Sequence, residues 1–384
     1  MIHLLLVLIY LTFISLGLPD AVLGSAWPVM HQELNVSVSY AGILTFITCG
    51  FTIVSSLLSA RLTKRFGTGL VVVVSVMLTA FGLLGYYFST HFYMLAIFAI
   101  PYGLGAGGID AALNNYVAVH FKAKHMSWLH AMWGVGATLG PYAMSFALTN
   151  NMPWNDGYLI IFILQSILLF VLFFSLPLWQ KKSTSVEEVD VKVLGVKDLF
   201  SIRGLLAVLI MFFCYCSLEQ TAMLWASSYL ISNNNVSVEV AAFFASMFCI
   251  GITVGRFING FVATKLKDKD MIRLGSLIIF AGVLLLFVNA HVVLTYISFV
   301  LIGIGCAPIY PSIIHSTPQY FGKDVSQSLI GIQMAVAYIG VLFMPPLFGV
   351  LADFIDIKIL PIYLFIFLLL MIVCHEILLK KTKN

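Results

Sequence analysis

The sequence predicts an all-α membrane protein with twelve transmembrane helices, arranged as two six-helix halves in a pseudo-twofold repeat. Three observations lead to this prediction. Apolar residues make up 61% of the 384 residues and charged residues only 9%, which is far from the composition of soluble domains. Apolar stretches of about 20 residues, long enough to cross roughly 30 Å of hydrocarbon, recur along the whole chain. Motifs of the first half also return in the second half at a constant offset.

The apolar stretches define twelve spans. They cover residues 2–31, 38–60, 68–88, 92–120, 126–150, 156–178, 201–232, 236–263, 271–289, 291–317, 325–350 and 358–379. The first span lacks the basic start of a cleaved signal peptide, so it is expected to remain as a helix.

The positions of Lys and Arg predict the orientation in the membrane. Lys358 is the single basic residue assigned to an odd-numbered loop, and Arg256 lies inside a span, while the other basic residues lie in even-numbered loops, at the span ends next to those loops, or in the C-terminal tail. Short cytoplasmic loops carry the positive charge, so both termini are expected in the cytoplasm of a multi-pass cell-membrane protein. The partners expected are the lipid bilayer and a small molecule. No basic cluster is dense enough to indicate nucleic acid.

Several functional classes lack support in the sequence. All six cysteines fall inside predicted spans, and none has the CxxC or Cys/His spacing of a zinc site, so no metal is expected. The GxGxxG pattern at residues 103–108 is flanked by membrane helix rather than by a soluble strand, so helix packing explains it better than a dinucleotide cofactor. No cofactor is expected, and the absence of a nucleophile elbow argues against an enzyme.

The repeat appears when the sequence is shifted by 200 residues. "NVSV" at 35–38 recurs at 235–238, and "GLGAGGID" from Gly103 aligns with "GIGCAPIY" from Gly303. Parallel halves of this kind are related by an axis along the membrane normal. The predicted domains are residues 1–178, a hydrophilic cytoplasmic linker at 179–200, and residues 201–384. A substrate site is then expected near the midplane between the halves.

Ionisable residues inside a bilayer are costly, so each is a candidate for function. Asp110 is the strongest candidate. On a helix, Gly103, Gly107, Asp110 and Asn114 share one face, where the glycines let a neighbouring helix approach closely. A carboxyl group in this setting can take up and release a proton during transport. The alternative is a structural hydrogen bond from Asp110 to a neighbouring helix.

Asp20 lies in "GLPDAVLGSAWP", on a face shared with Gly17, Gly24 and Trp27. A carboxylate that accepts hydroxyl hydrogen bonds, beside an indole that covers C–H groups, suits a polyhydroxylated ligand. The alternative is a solvated carboxylate near the outer end of the span. Glu219 and Gln220 occupy the corresponding position of the second half, although a structural role for Glu219 is also open.

Further polar and aromatic residues have less specific signals. Arg256 fits an ion pair or gate in the cavity, or a side chain that reaches the cytoplasmic interface. His130 and Trp133 lie three apart on one face of the fifth span, where a packing role for the histidine is equally open. Tyr310 and Gln333 are possible substrate contacts in the second half, with core packing as the alternative.

Four stretches carry a resemblance to a known family. "GLGAGGIDAALNNYVAVHF", "SLEQTAMLWASSYL", "GITVGRFINGF" and "GIGCAPIYPSIIH" resemble the fucose, glucose and mannose permease branch of the major facilitator superfamily. The resemblance implies that Asp110 takes the place of an acid involved in proton coupling or sugar binding. It also implies a role for Asp20, which lies about one turn earlier than the helix 1 acid of fucose permease when counted back from Pro28.

The expected function is therefore proton-coupled uptake of a small sugar by alternating access, carried out by a monomer. Asp110 and Asp20 are the predicted proton-coupling residues, and Arg256 is the predicted gate or ion-pair residue. The predicted substrate contacts are Asp20, Trp27, Asn114, His130, Trp133, Glu219, Gln220, Tyr310 and Gln333. The alternative is a proton-driven exporter of amphipathic, drug-like compounds, which the same fold supports.

Overall fold

The computed structural model of the protein describes residues 2–20, 22–37, 40–183, 201–234, 236, 238–288 and 291–382. Every regular element in these ranges is helical. The helices are α1 (Ile2–Asp20), α2 (Val22–Glu33), α3 (Tyr40–Phe66), α4 (Thr68–Tyr87), α5 (Phe92–His120), α6 (Ala123–Thr149), α7 (Trp154–Ser183), α8 (Leu205–Asn234), α9 (Val238–Val262), α10 (Asp268–Val288), α11 (Val292–Cys306), α12 (Ile309–Phe321), α13 (Lys323–Phe354) and α14 (Leu360–Thr382), with a 3₁₀ turn at Ile357–Ile359 before α14.

The helices correspond to the predicted spans. Within the described ranges, ten helical stretches are long and apolar enough to cross a bilayer. The fifth and eighth predicted spans correspond to α6, with 27 residues, and α9, with 25 residues. Both α1 and α2 fall in the first predicted span, and residue 21 between them lies outside the described residues. Residues 184–200 of the predicted linker also lie outside them.

The tenth predicted span is not one continuous helix. It divides into α11 and α12 at a turn formed by Ala307 and Pro308. Proline has no backbone N–H, and its ring collides with the carbonyl of the residue four positions earlier, so a continuous helix is unfavourable there. The span predicted over residues 291–317 is nevertheless confirmed as one apolar stretch able to cross a bilayer, Val292–Phe321, with this turn inside it.

The chain folds into two compact units. Unit 1 comprises the described residues within 1–116, 129–193 and 323–331. Unit 2 comprises those within 117–128, 194–322 and 332–384. Each unit therefore contains most of one half of the sequence together with a short segment from the other half.

Glycines set the packing inside each unit, and the same contacts recur 200 residues later. A Cβ at Gly103 would overlap the carbonyl of Thr48 on α3, and a Cβ at Gly303 would overlap that of Phe248 on α9. At these positions the backbones of neighbouring helices touch directly, which only a residue without a side chain permits.

Two more contacts of the first half recur 200 residues later in the second half. Gly105 lies against the carbonyl of Ser75 on α4, and Gly305 lies against that of Gly275 on α10. The contact between Gly82 and Phe98 likewise corresponds to the contact between Gly282 and Ser298. The sequence repeat is therefore also a repeat of helix-to-helix contacts.

Replacing Gly103 by alanine should lower the melting temperature of the detergent-solubilised protein. The new methyl group meets the backbone oxygen of Thr48, so α3 and α5 have to move apart, at a cost of about 1–3 kcal/mol. Gly50→Ala is the matched control, because nothing lies within 4 Å of the Cβ position at Gly50 in α3. Equal melting temperatures for the two variants would contradict the packing described here.

Candidate functional site

The carboxylate of Asp20, at the end of α1, is held by two side chains of unit 1. The hydroxyl of Tyr102 on α5 donates to Oδ1 at 2.8 Å, and the indole N–H of Trp133 on α6 donates to Oδ2 at 2.7 Å. Each oxygen therefore accepts one hydrogen bond from the protein and keeps acceptor capacity for another. Asp20 is nevertheless exposed, so this capacity is available to a ligand.

Close packing of α1 against α6 brings Asp20 and Trp133 together. A Cβ at Gly17 would overlap the carbonyl of Trp133, and one at Gly136 would overlap that of Ile14. Gly140 lies in the same way against Leu18. With glycine on both helices the two backbones are in contact, and the Trp133 indole can reach the carboxylate three residues beyond Gly17.

A cavity of about 420 Å³ opens beside Asp20. It lies within unit 1, and its volume is in the range typical of small-molecule sites. The lining residues are Asp20, Leu23, Gly24, Trp27, His31, Ala41 and Thr45. Residues 20, 24, 27 and 31 have the three- and four-residue spacing of one helical face. The wall thus combines a carboxylate, an indole, an imidazole and a hydroxyl.

Asp110 belongs to a second polar group, which is buried between α5 and α6. The Asn114 side-chain nitrogen donates to Oδ1 of Asp110 at 2.7 Å, and the Asn114 amide oxygen lies 3.0 Å from Nε2 of His130. Because the amide oxygen can only accept, Nε2 of His130 carries a proton. An amide therefore connects a buried carboxyl group to a buried imidazole, both of which can titrate.

Packing fixes the orientation of the His130 ring. Phe13 on α1 meets it edge to face, with ring centroids 5.5 Å apart and planes at 88°. Trp133 lies one turn after His130 on α6. Tyr102 lies eight residues before Asp110 on α5, which is a rise of about 12 Å along the helix. The same two helices therefore carry the partners of both Asp20 and Asp110.

Unit 2 contains a buried ion pair. Arg256 on α9 lies 3.3 Å from Oε1 of Glu219 on α8, and the two side chains are only 5% and 9% exposed. Tyr215, one turn before Glu219, donates its hydroxyl to the Cys306 carbonyl at 3.0 Å, at the end of α11. Arg256 is thus inside the protein, and its side chain does not extend to the surface.

The remaining candidates of the second half are also in unit 2. The Tyr310 hydroxyl donates to the sulfur of Met334 at 3.0 Å, and its ring packs against Phe212 with centroids 4.8 Å apart. Gln333 is fully buried and accepts a hydrogen bond from Thr317 at 3.0 Å. Gln220 is half-buried beside Glu219. Substrate contacts for these three residues stay predictions.

Three residues around Asp20, namely Tyr102, His31 and Thr45, were not predicted from the sequence. His31 had a usable signal, because it continues the face of Asp20, Gly24 and Trp27 by four residues. Tyr102 and Thr45 had none, since their helices meet Asp20 and its cavity only through the tertiary fold.

A repeated set of membrane helices with buried polar groups is typical of membrane transporters. The chain belongs to the Major Facilitator Superfamily, whose family model matches residues 9–232 and 208–383. It is accordingly a multi-pass membrane protein with the twelve-helix architecture of that family.

Three similar proteins illustrate this membership. Bypass of stop codon protein 6 of Saccharomyces cerevisiae is 24% identical, over 91% of this chain and 77% of the yeast protein. The glucose/mannose transporter GlcP of Bacillus subtilis is 22% identical, over 79% of this chain and 77% of GlcP. A crystal structure of the E. coli fucose:proton symporter FucP superposes with a TM-score of 0.81 at 14% identity and covers 99% of both chains.

Removing one member of the Glu219–Arg256 pair should destabilise the protein. Glu219→Gln or Arg256→Met leaves the other charge buried without compensation, at a cost of about 3–5 kcal/mol. The double variant removes both charges and should recover most of that loss. Apparent melting temperatures of the four proteins in one detergent test this coupling. A double variant whose loss equals the sum of the single losses would show that the two charges are not coupled.

Proposed function

We propose that the protein is a secondary active transporter that takes up a small sugar together with a proton by alternating access. The observation that carries this proposal is the Asp20 carboxylate, oriented by Tyr102 and Trp133 at the edge of a cavity with an indole wall. The protein is predicted to lie in the cell membrane as a monomer, with both termini in the cytoplasm.

The cavity has the chemistry of a sugar site. Sugar hydroxyls donate to carboxylate oxygens, and Asp20 presents two oxygens whose geometry is fixed by the protein. Trp27 supplies a flat apolar surface for the C–H face of a sugar ring, and Thr45 and His31 add polar contacts around it. A few placed polar groups on a largely apolar wall are typical of small-molecule sites.

Proton coupling is assigned to Asp110. When ionised, its carboxylate accepts the hydrogen bond of Asn114 and keeps the Asn114 amide oxygen toward His130. A protonated carboxyl group also becomes a donor, so the amide can rotate and lose its contact with His130. The protonation state of Asp110 therefore changes the contacts between α5 and α6, which also hold Asp20.

The comparisons support the substrate class. One similar protein is named as a glucose/mannose transporter and a structural neighbour as a fucose:proton symporter. In unit 2, the proposed role of Glu219 and Arg256 is an ion pair that holds α8 to α9 during the cycle.

Asp110→Asn should abolish proton-driven accumulation and leave exchange intact. Asparagine keeps the shape and accepts the Asn114 hydrogen bond, but it cannot carry a proton. The measurement is uptake of labelled hexoses and deoxyhexoses into proteoliposomes under an inward proton gradient, beside exchange at equal sugar concentrations without a gradient. If gradient-driven uptake by Asp110→Asn equals that of the wild type, Asp110 is not the proton-coupling residue. The absence of sugar uptake with either protein would favour the export of amphipathic compounds instead.

Tyr102→Phe should weaken sugar binding without unfolding the protein. The variant loses the hydroxyl that holds Oδ1 of Asp20, and a hydrogen bond to a charged group contributes about 1.5–3 kcal/mol, so KM should rise about tenfold or more. Tyr86→Phe is the matched control, since the Tyr86 ring lies 6.4 Å from that of Tyr102 and its hydroxyl bonds to Thr48 instead of Asp20. An equal KM for both variants would contradict the proposed role of the Tyr102 hydroxyl in orienting Asp20 for the sugar.

A further inference from the structure

Each unit contains a short segment from the opposite half of the sequence. Residues 117–128, which join α5 to α6, belong to unit 2, and residues 323–331, at the start of α13, belong to unit 1. We call these the 117–128 segment and the 323–331 segment. They overlap in the repeat, because residues 123–128 align with residues 323–328 at the 200-residue offset.

The 323–331 segment is held in unit 1 by neutral groups. Ser326 donates to the side-chain oxygen of Asn115 at 2.6 Å, and Gln327 donates to the hydroxyl of Ser59 at 2.6 Å. Gly331 lies against the carbonyl of Ser56. None of the four hydrogen-bonding side chains titrates, so these contacts do not respond to pH.

The 117–128 segment is held in unit 2 at two places. At one end, the indole of Trp128 occupies the space that a Cβ would take at Gly260 on α9, and its ring meets that of Phe261 edge to face at 5.6 Å. At the other end, Nε2 of His315 on α12 lies 3.3 Å from the carbonyl oxygen of Phe121. His315 occupies the repeat position of Asn115, so an imidazole replaces the neutral amide.

The contacts of His315 determine its protonation state. Its Nδ1 lies 2.7 Å from Oδ2 of Asp268, at the start of α10, while Nε2 faces the Phe121 carbonyl. A carboxylate and a carbonyl are both acceptors, so both ring nitrogens have to donate and the ring is an imidazolium. The short distance to Asp268 is typical of a charge-assisted hydrogen bond. The Phe121 carbonyl follows the last residue of α5, where a helix end favours a cation.

Other charged groups near this contact lie on the neighbouring elements. Asp268, which also accepts a hydrogen bond from Gln319 at 3.4 Å, is the titratable group in contact with His315 among the described residues. Asp268, Arg273 and Asp270 lie around Tyr320, and Arg273 is bound to Asp270 and to Glu376 on α14. The 117–128 segment itself carries the following titratable groups: His120, Lys122, Lys124 and His125.

We propose that His315 is a proton-dependent clasp that holds the 117–128 segment on unit 2. When the imidazolium loses its proton, one ring nitrogen stops donating. If the remaining proton stays on Nδ1 toward Asp268, the contact with the Phe121 carbonyl becomes repulsive. The clasp is therefore closed at low pH and released as the pH rises.

The clasp has a direct structural connection to the proposed transport site. The segment that it holds joins the ends of α5 and α6, which carry Asp110, Asn114, His130 and Trp133. Release of the segment frees these two helices to move at the end that is predicted to face the cytoplasm. Cytoplasmic acidification then keeps the clasp closed and slows transport. This effect on transport rests on the proposed function, whereas the clasp itself rests only on the contacts of His315.

Hydrogen exchange of the full-length protein in lipid nanodiscs tests the clasp without any substrate. Exchange of peptides covering 117–128 and 323–331 is measured between pH 5.5 and 8.5 and corrected for the chemical exchange rate with unstructured peptides. The protection of 117–128 should fall with rising pH, by at most about tenfold per pH unit because one proton is coupled. The protection of 323–331 should stay constant. A flat response of 117–128, or an equal change in both peptides, would overturn the proposal.

Variants assign the pH response to His315. His315→Gln should remove the pH dependence of 117–128, whereas His291→Gln, at the far end of α11, should retain it. Asp268→Asn removes the carboxylate that favours the imidazolium, so the fall in protection of 117–128 should move to lower pH than in the wild type. If His315→Gln does not fold, Asp268→Asn serves as the test in its place. A wild-type pH response in either His315→Gln or Asp268→Asn would assign the titration to another group and overturn the proposal.

Discussion

The rest of this structure depends on direct contact between helix backbones. Glycine makes this contact possible, because no Cβ separates the two helices. Gly103 and Gly105 place α5 against α3 and α4, and Gly17 with Gly136 places α1 against α6. Without a water-driven hydrophobic effect inside a bilayer, close packing of this kind is a main source of helix association. It also determines which polar side chains can reach each other.

The polar groups brought together by this packing find partners within the protein. Asp20 is bound by Tyr102 and Trp133, and Glu219 lies beside Arg256. Asp20 differs from Glu219 because it is exposed at a cavity, whereas Glu219 is buried in its ion pair. A buried pair stabilises one arrangement of helices, while an oriented but exposed carboxylate remains available to a ligand. This difference is the physical basis for assigning substrate binding to Asp20.

The helices could be predicted well because hydropathy and the 200-residue repeat are properties of the chain itself. The division between α11 and α12 could not be read from hydropathy, since Pro308 breaks the helix without making it less apolar. Neighbours within one predicted span, such as Asp110 with Asn114, or Asp20 with Trp27, could be inferred from spacing. The hydrogen bonds of Asp20 to Tyr102 and Trp133 join residues more than 80 positions apart, and no spacing rule predicts them. The same holds for His315 and Phe121, which come from opposite halves of the sequence and meet within unit 2.

Sugar and proton are proposed to move together through this protein, and the role assigned to Asp110 depends on that coupling. Proteoliposomes containing the wild-type protein and a pH-sensitive dye inside, with no proton gradient imposed, test it most directly. Addition of a transported hexose outside should acidify the vesicle interior, and the signal should vanish when a protonophore is present. Sugar entry with no change in internal pH would contradict the coupling, since the transport would then occur without a proton.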